Sequence, residues 1–250
     1  MKFVALVSGG KDSCYNMMKC VADGHELVCL ANLQPPEGID ELDSYMYQTV
    51  GHDALYIYAE AMGNVPFVRR RISGRPLSLD KTYSPETNPT DEVEDLYDLL
   101  KEVKDRFNIE AVSVGAIFSE YQSVRVQNVC DRLNLQMLAY LWKREQKQLM
   151  RDMIDHGLDA ILIKVAAMGL TPERHLGAHL RDVYDDLVSK EESIGLNVCG
   201  EGGEFESFVL DCPLFKKRIV IDESEKVLHS NDAFAPVAFL RLKRLHLEDK

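Results

Sequence analysis

Residues Phe3 to Ser13 read FVALVSGGKDS, and this stretch decides the fold. Phe3 to Val7 is an unbroken apolar run of the length and kind found in strands buried on both faces. Ser8, Gly9 and Gly10 end it sharply, and a helix is predicted to start at once. Its apolar residues Cys14, Met17, Met18 and Val21 fall at i, i+3, i+4 and i+7, with Gly24 as a natural stop. A strand that passes through a glycine turn into a helix aims backbone N–H groups and the positive helix end at one place, where an anion such as phosphate is held. Gly9 and Gly10 remove side chains that would block close approach, Ser8 and Ser13 add hydroxyls, and Lys11 adds a cation. A carboxylate beside polyphosphate is repelled unless it meets a donor or a divalent metal, so Asp12 is expected to help hold Mg²⁺. The string is neither G-x-x-x-x-G-K followed by Ser or Thr, nor G-x-G-x-x-G, which weighs against γ-phosphate transfer and dinucleotide binding.

Outward from the loop, strands and helices alternate. Glu26 to Leu33 reads as a second strand, Val50 to Met62 as a second helix and Val65 to Ile72 as a third strand. Ser73 to Thr90, with Pro76, Pro85 and Pro89, is long for a loop inside a compact domain and suggests a lid. Thr90 is expected to cap a helix opened by Asp91 and Glu92, with the strand Ala111 to Gly115 after it. Ser119 and Gln122 form a capping box for the next helix. The pattern predicts an α/β fold with a parallel sheet and crossover helices. Beyond it come a helix around Leu149 to Ile154, a buried strand Ala160 to Val165 and a helix around Leu180 to Leu187. After Gly195 the expectation is a turn at Gly200 to Gly203 and short strands Arg218 to Asp222, Glu225 to His229 and Ala238 to His246, with a slip near Lys243. Two domains are expected: residues 1–135, carrying the loop, and residues 136–250, a smaller α+β domain.

With 250 residues, 46% hydrophobic, the chain can bury ordinary cores without disulfides or metals. Its 29 Lys and Arg against 41 Asp and Glu leave a net charge of -12, which argues against a broad nucleic-acid face. The six cysteines form no C-x-x-C pair, so reduced thiols are expected. No apolar run approaches the ~18 residues that cross a bilayer, and no leader is read ahead of the first strand. A cytoplasmic protein without membrane association is the expectation.

The six residues SGGKDS resemble the loop of the ATP pyrophosphatase (PP-loop) superfamily, whose nucleotide-binding domains are HUP-like and whose members adenylylate a substrate and release pyrophosphate. ELDSYMYQTVGH, from Glu41 to His52, and EGGEFES, from Glu201 to Ser207, are similar to segments of the diphthine ammonia ligase family. That resemblance implies that ATP and ammonium convert the diphthine carboxylate of elongation factor 2 into the diphthamide amide, yielding AMP and pyrophosphate. The family signature usually carries Tyr and Thr where this chain has Phe205 and Ser207. A PP-loop enzyme that modifies tRNA by adenylation is the alternative reading, and it calls for a basic face that the composition lacks.

The chemistry stands apart from the name. A carboxylate is a poor acyl donor, and attack on the α-phosphorus of ATP turns it into an acyl adenylate that ammonia opens. Lys11, Asp12 and Glu204 are the expected catalytic residues, and Ser8, Gly9, Gly10, Lys11 and Ser13 the phosphate cradle. The resemblance implies that the backbone of Gly115 and Ala116 reads the adenine edge, where a plain turn is the other reading. Diphthine carries a trimethylammonium group, which aromatic rings and carboxylates attract. Tyr45, Tyr47, Trp142, Glu201 and Glu204 are candidates for it, against loop anchoring, ordinary packing and solvated turn charges. Gly203 belongs to the same acidic turn. Lys164, a cation inside a buried strand, wants a phosphate or carboxylate partner or else reaches the surface. Gln122 and Arg125 lie at the start of a helix after a strand end, as ligand contacts or as an exposed face.

Overall fold

In order along the chain, the strands are β1 (Lys2–Leu6), β2 (Glu26–Gln34), β3 (Phe67–Arg71), β4 (Ala111–Ser113), β5 (Gln136–Leu138), β6 (Asp159–Val165), β7 (Phe205–Asp211), β8 (Lys217–Ser230) and β9 (Val237–Asp249). The helices are α1 (Lys11–Ala22), α2 (Tyr56–Ala61, entered through a 3-10 turn at His52–Leu55), α3 (Glu92–Phe107), α4 (Glu120–Leu133), α5 (Gln146–Asp155) and α6 (Leu180–Ile194). These come from a computed structural model that describes residues 1–38, 46–48, 50–77 and 82–250. The chain divides into two compact units, the first of Met1–Ser8, Asp12–Thr49 and Val65–Trp142, the second of Gly9–Lys11, Val50–Asn64 and Lys143–Lys250.

The first unit is a five-stranded parallel sheet in the order β3-β2-β1-β4-β5. Its central strands β1 and β4 are almost wholly apolar and buried, as strands covered on both faces are, while the edge strand β3 carries three arginines. A core of Val4, Cys29, Ala31, Val68 and Val112 from the strands packs with Val93, Leu96, Leu100 and Val103 of α3 and Val126, Val129 and Cys130 of α4. The cap of α3 is Asp91 and not Thr90: the Asp91 side chain accepts from the Val93 N–H at 3.0 Å. Asn108 at φ 50° closes that helix, a left-handed C-cap that asparagine tolerates. Ser119 caps α4 as expected, accepting from the Gln122 N–H at 3.3 Å. The short strand β5 was not expected; it has three residues and opens on Gln136, too little pattern to register.

The second unit is a four-stranded sheet in the order β7-β6-β9-β8 with every pairing antiparallel. The two short strands expected around Asp222 and Glu225 are one continuous strand, β8. The irregularity shows in the register: Glu223 pairs with Arg244 and Ser224 with Leu242, so Lys243 is passed over, as the expected slip required. β7 is a second strand the sequence reading lacked. Phe205 to Ser207 form its beginning, so the tight turn ends at Glu204.

Candidate active site

β1 has β2 on one side and β4 on the other. The chain runs outward from β1 through β2 to β3 and then crosses back to β4 on the other side of β1, so the strand order reverses there, and the crevice beyond the carboxyl ends of β1 and β4 is where open parallel sheets bind ligands. Ser8 follows β1 directly, and its N–H lies 3.4 Å from the Ser13 hydroxyl oxygen. Asp12 sits in the first turn of α1, and Ser13 is buried. After β4, Gly115 runs against the α1 start: a Cβ on it would stand 2.6 Å from the Ser13 nitrogen. Ala116 beside it is buried. Both carboxyl ends are pinned by side-chain amides. Asn16, fully buried, donates to the Ser113 hydroxyl and the Leu138 carbonyl, each at 2.8 Å, and accepts from the Tyr140 N–H at 2.8 Å. Asn32 donates to the Val7 carbonyl at 2.9 Å and accepts from Arg69 Nε at 3.0 Å.

The expected acceptor residues of this unit are placed as follows. Arg125 is fully buried, which removes the exposed-face reading; its guanidinium carbon is 3.5 Å from the Tyr121 ring centroid and 5.6 Å from that of Tyr83. The Tyr47 hydroxyl donates to the Glu92 carbonyl at 3.1 Å. Its pKa is pushed well above the ordinary tyrosine value, first by burial and then by the charges of Glu92, Asp95 and Asp91. Gln122 Nε2 is 3.4 Å from the Met46 carbonyl oxygen. Trp142 packs, partly buried, on the core of the unit. Tyr45 lies outside the described residues. The expected lid is anchored at its first part: Asp95 accepts from the N–H groups of Ser73 and Gly74 at 2.8 Å, and Asp91 from that of Leu77 at 2.9 Å. Residues 78–81 of that stretch lie outside the described ones.

In the second unit, Gly9, Gly10 and Lys11 lie along β7. The Val209 N–H donates to the Gly9 carbonyl at 2.9 Å, and the Lys11 N–H donates to the Ser207 hydroxyl oxygen at 3.0 Å. Gly9 takes φ +91°, and a Cβ there would come within 2.9 Å of Leu55 and 3.2 Å of Phe208, so both conformation and space demand glycine. Lys11 is buried; its ammonium donates to the Cys199 carbonyl and stands 5.3 Å from the Phe205 ring centroid. That contact uses the ring face and needs no phenolic hydroxyl.

Gly200, at φ +74°, and Gly203, at φ +84°, shape the acidic turn. The Glu204 carboxylate accepts from the Gly202 N–H at 2.8 Å and the Asn197 N–H at 3.3 Å, while the Glu201 N–H donates to Asn197 Oδ1 at 3.2 Å. Lys164 has found the carboxylate partner its position called for: Glu206, opposite it on β7, at 3.2 Å. Among the described residues no group of three or more His, Cys, Asp or Glu could hold a metal ion, and no helix is long and apolar enough to cross a membrane.

Two family models cover most of the chain: the diphthamide synthase N-terminal domain matches residues 1–137 and the diphthamide synthase C-terminal domain residues 145–242. The chain belongs to the diphthamide synthase family. Its similar relatives include proteins named diphthine–ammonia ligase from Rattus norvegicus, 60% identical, and Homo sapiens, 59% identical, each over 100% of this chain and 94% of the relative. A Schizosaccharomyces pombe protein of the same name is 50% identical over 97% of this chain and 39% of its own length. Among solved structures, the U34-tRNA thiolase NcsA from Methanococcus maripaludis is a loose likeness: 15% identity, TM-score 0.35, covering 80% of this chain and 69% of that one. This member of the diphthamide synthase family is an enzyme of the ligase class.

Sequence reasoning missed the supports of the diphthamide synthase loop. Asn16 lies off the face made by Cys14, Met17 and Met18, on the side of the helix that reads as exposed, and only its burial in the fold reveals its part. Tyr58 shares a face of the helix predicted from sequence with Val50, Ala54, Ile57 and Ala61, which reads as a plain apolar stripe. Its buried hydroxyl lies 2.8 Å from the carbonyl oxygens of both Gly9 and Val209.

Proposed function

We propose that this chain adenylylates the diphthine carboxylate of elongation factor 2 with ATP and amidates it with ammonium, releasing AMP and pyrophosphate. The observation that carries the reading is the Ser8–Ser13 loop at the β1/β4 switch point, with Gly115 at closest approach to its helix start. A crevice of that kind takes a nucleotide with its phosphates at the helix N-terminus. Ser8, Gly9, Gly10 and Ser13 form the cradle, and Gly115 and Ala116 border the adenine. Lys11 neutralises phosphate charge as it develops. Mg²⁺ commonly takes one or two carboxylates together with substrate phosphates and waters, so the single carboxylate of Asp12 suits it. The bound ATP supplies the activated phosphorus, and the protein supplies position and charge.

The acceptor reading assigns Tyr47, Gln122, Arg125 and Trp142, with Tyr45, to substrate binding, and likewise Lys164, Glu201 and Gly203 among the residues of the second unit. Glu204 is assigned to the cationic partner, ammonium or trimethylammonium. The test is to incubate the protein with labelled ATP, ammonium and diphthine-bearing elongation factor 2, following nucleotide products and acceptor mass. AMP and pyrophosphate should form only with the acceptor present, and the acceptor should change by the mass of acid-to-amide conversion. ADP and orthophosphate as main products would overturn the reading.

A further inference from the structure

β7 is the outer strand of the four-stranded sheet, paired only on its β6 side within that sheet. The loop segment Gly9–Lys11 lies along its other edge. Gly9 accepts from Val209, and two residues further on Lys11 donates to Ser207, so the two chains run past each other in antiparallel sense. At the first contact the bond is backbone to backbone. At the second, the chain has already turned into α1, and the Ser207 side chain supplies the acceptor that the Lys11 N–H meets. Both residues are buried, Ser207 to 2% exposure and Lys11 to 3%. The Tyr58 hydroxyl joins the Gly9 and Val209 carbonyls beside them. One residue on β7 thus meets the chain where the glycine turn passes into the helix.

We propose that Ser207 is a positioning residue for the phosphate loop: by accepting the Lys11 N–H it sets the direction of the α1 start and so the alignment of the phosphates against the acceptor carboxylate. This rests on the reading of Ser8–Ser13 as the ATP loop. The magnitudes separate the role from simple support. One neutral hydrogen bond contributes on the order of 1 kcal/mol to stability, whereas misplacing reacting groups by about 1 Å costs roughly 100-fold in rate.

Ser207→Ala, Ser207→Cys and Ser207→Thr are compared with wild type in the full chain at temperatures where circular dichroism shows each folded. Single-turnover amide formation on diphthine-bearing elongation factor 2 and hydrogen exchange at the Lys11 amide are measured in parallel. Ser207→Ala should lower turnover by roughly 10- to 100-fold, leave the ammonium KM unchanged and speed exchange at the Lys11 amide. Ser207→Thr, which keeps the hydroxyl, should restore both within about threefold, and Ser207→Cys, a weak acceptor of nearly the same shape, should fall between them and stand in if the alanine variant does not fold. Wild-type turnover in the folded alanine or cysteine variant would overturn the proposal. So would a loss that disappears once variant and wild type are equally folded. Failure of the ATP reading shows separately, as ADP formation by the wild-type enzyme, while the exchange measurement still reports on the Lys11 contact.

Discussion

Gly115 lies so close to Ser13 that a single added methyl group would overlap the backbone: its carbon would stand 2.6 Å from the Ser13 nitrogen and 2.7 Å from the Asp12 carbonyl carbon. Side chains can swing aside, but main chain at the start of α1 cannot do so without moving the helix. β4 and the phosphate loop are therefore held at a spacing that only glycine permits. Gly115→Ala should keep the fold, lower stability by about 1–3 kcal/mol, and raise the ATP KM at least tenfold. Gly74→Ala is the control, because its Cβ meets the backbone of Asp91 and Glu92 at 2.6 Å, away from the loop. It should lose comparable stability in urea titrations with an unchanged ATP KM. Equal effects of the two substitutions on the ATP KM would show that Gly115 is merely tightly packed.

The buried thiols give the protein a stability that alkali removes. Burial pushes Cys20, Cys29 and Cys212 up from 9.0 to about 11 and Cys130 to about 12, because an apolar surrounding disfavours the thiolate. Below pH 9 both folded and unfolded chains hold these protons and the contribution is complete. Between about pH 9 and 11 the unfolded chain releases protons that the folded chain retains, so stability falls as pH rises. Each thiol contributes a slope of at most about 1.4 kcal/mol per pH unit. Tyr140, raised to about 12 chiefly by burial, adds a slope of the same sign just above. Urea midpoints at pH 8, 9 and 10.5 should drop progressively, and Cys130→Ala should flatten the drop. A midpoint unchanged from pH 8 to 10.5 would contradict the burial of these thiols.

What the sequence disclosed depended on distance along the chain. The loop was legible because strand, glycine pair and helix period are contiguous from Phe3 to Val21, each confirming the next. The α3 cap was misplaced by one residue because Thr90 and Asp91 are both good caps, and only the Asp91 bond to Val93 decides between them. β7 does not read as a strand from sequence because FESFVLD follows three glycines and carries Glu206 and Ser207 side by side, which breaks a strand's alternation, and nothing local reveals that Ser207 meets a residue 196 positions away. Arg125 was beyond local pattern as well. Its burial depends on Tyr121, one helical turn earlier, and on Tyr83, which comes from a different part of the chain.

Glu204 is where charge and shape can be separated. Its carboxylate closes its own turn through the N–H groups of Gly202 and Asn197, so both oxygens serve as acceptors. Glu204→Gln keeps the volume, loses the charge and turns one acceptor into an NH2 donor facing an N–H group. The turn should weaken by about 1 kcal/mol through that lost bond, visible as a small fall in the urea midpoint. If the carboxylate also attracts the cationic partner, the KM for ammonium or for the acceptor should rise several-fold with the ATP KM unchanged, since uniform binding to one substrate alone has been removed. Asn197→Ala supplies the comparison: it removes the Oδ1 acceptor of the Cys199 and Glu201 N–H groups and loosens the same turn while leaving the Glu204 charge in place. A rise in the ammonium or acceptor KM in Glu204→Gln but not in Asn197→Ala assigns the effect to charge. The same rise in both, or in neither, would reduce Glu204 to the residue that holds its turn closed.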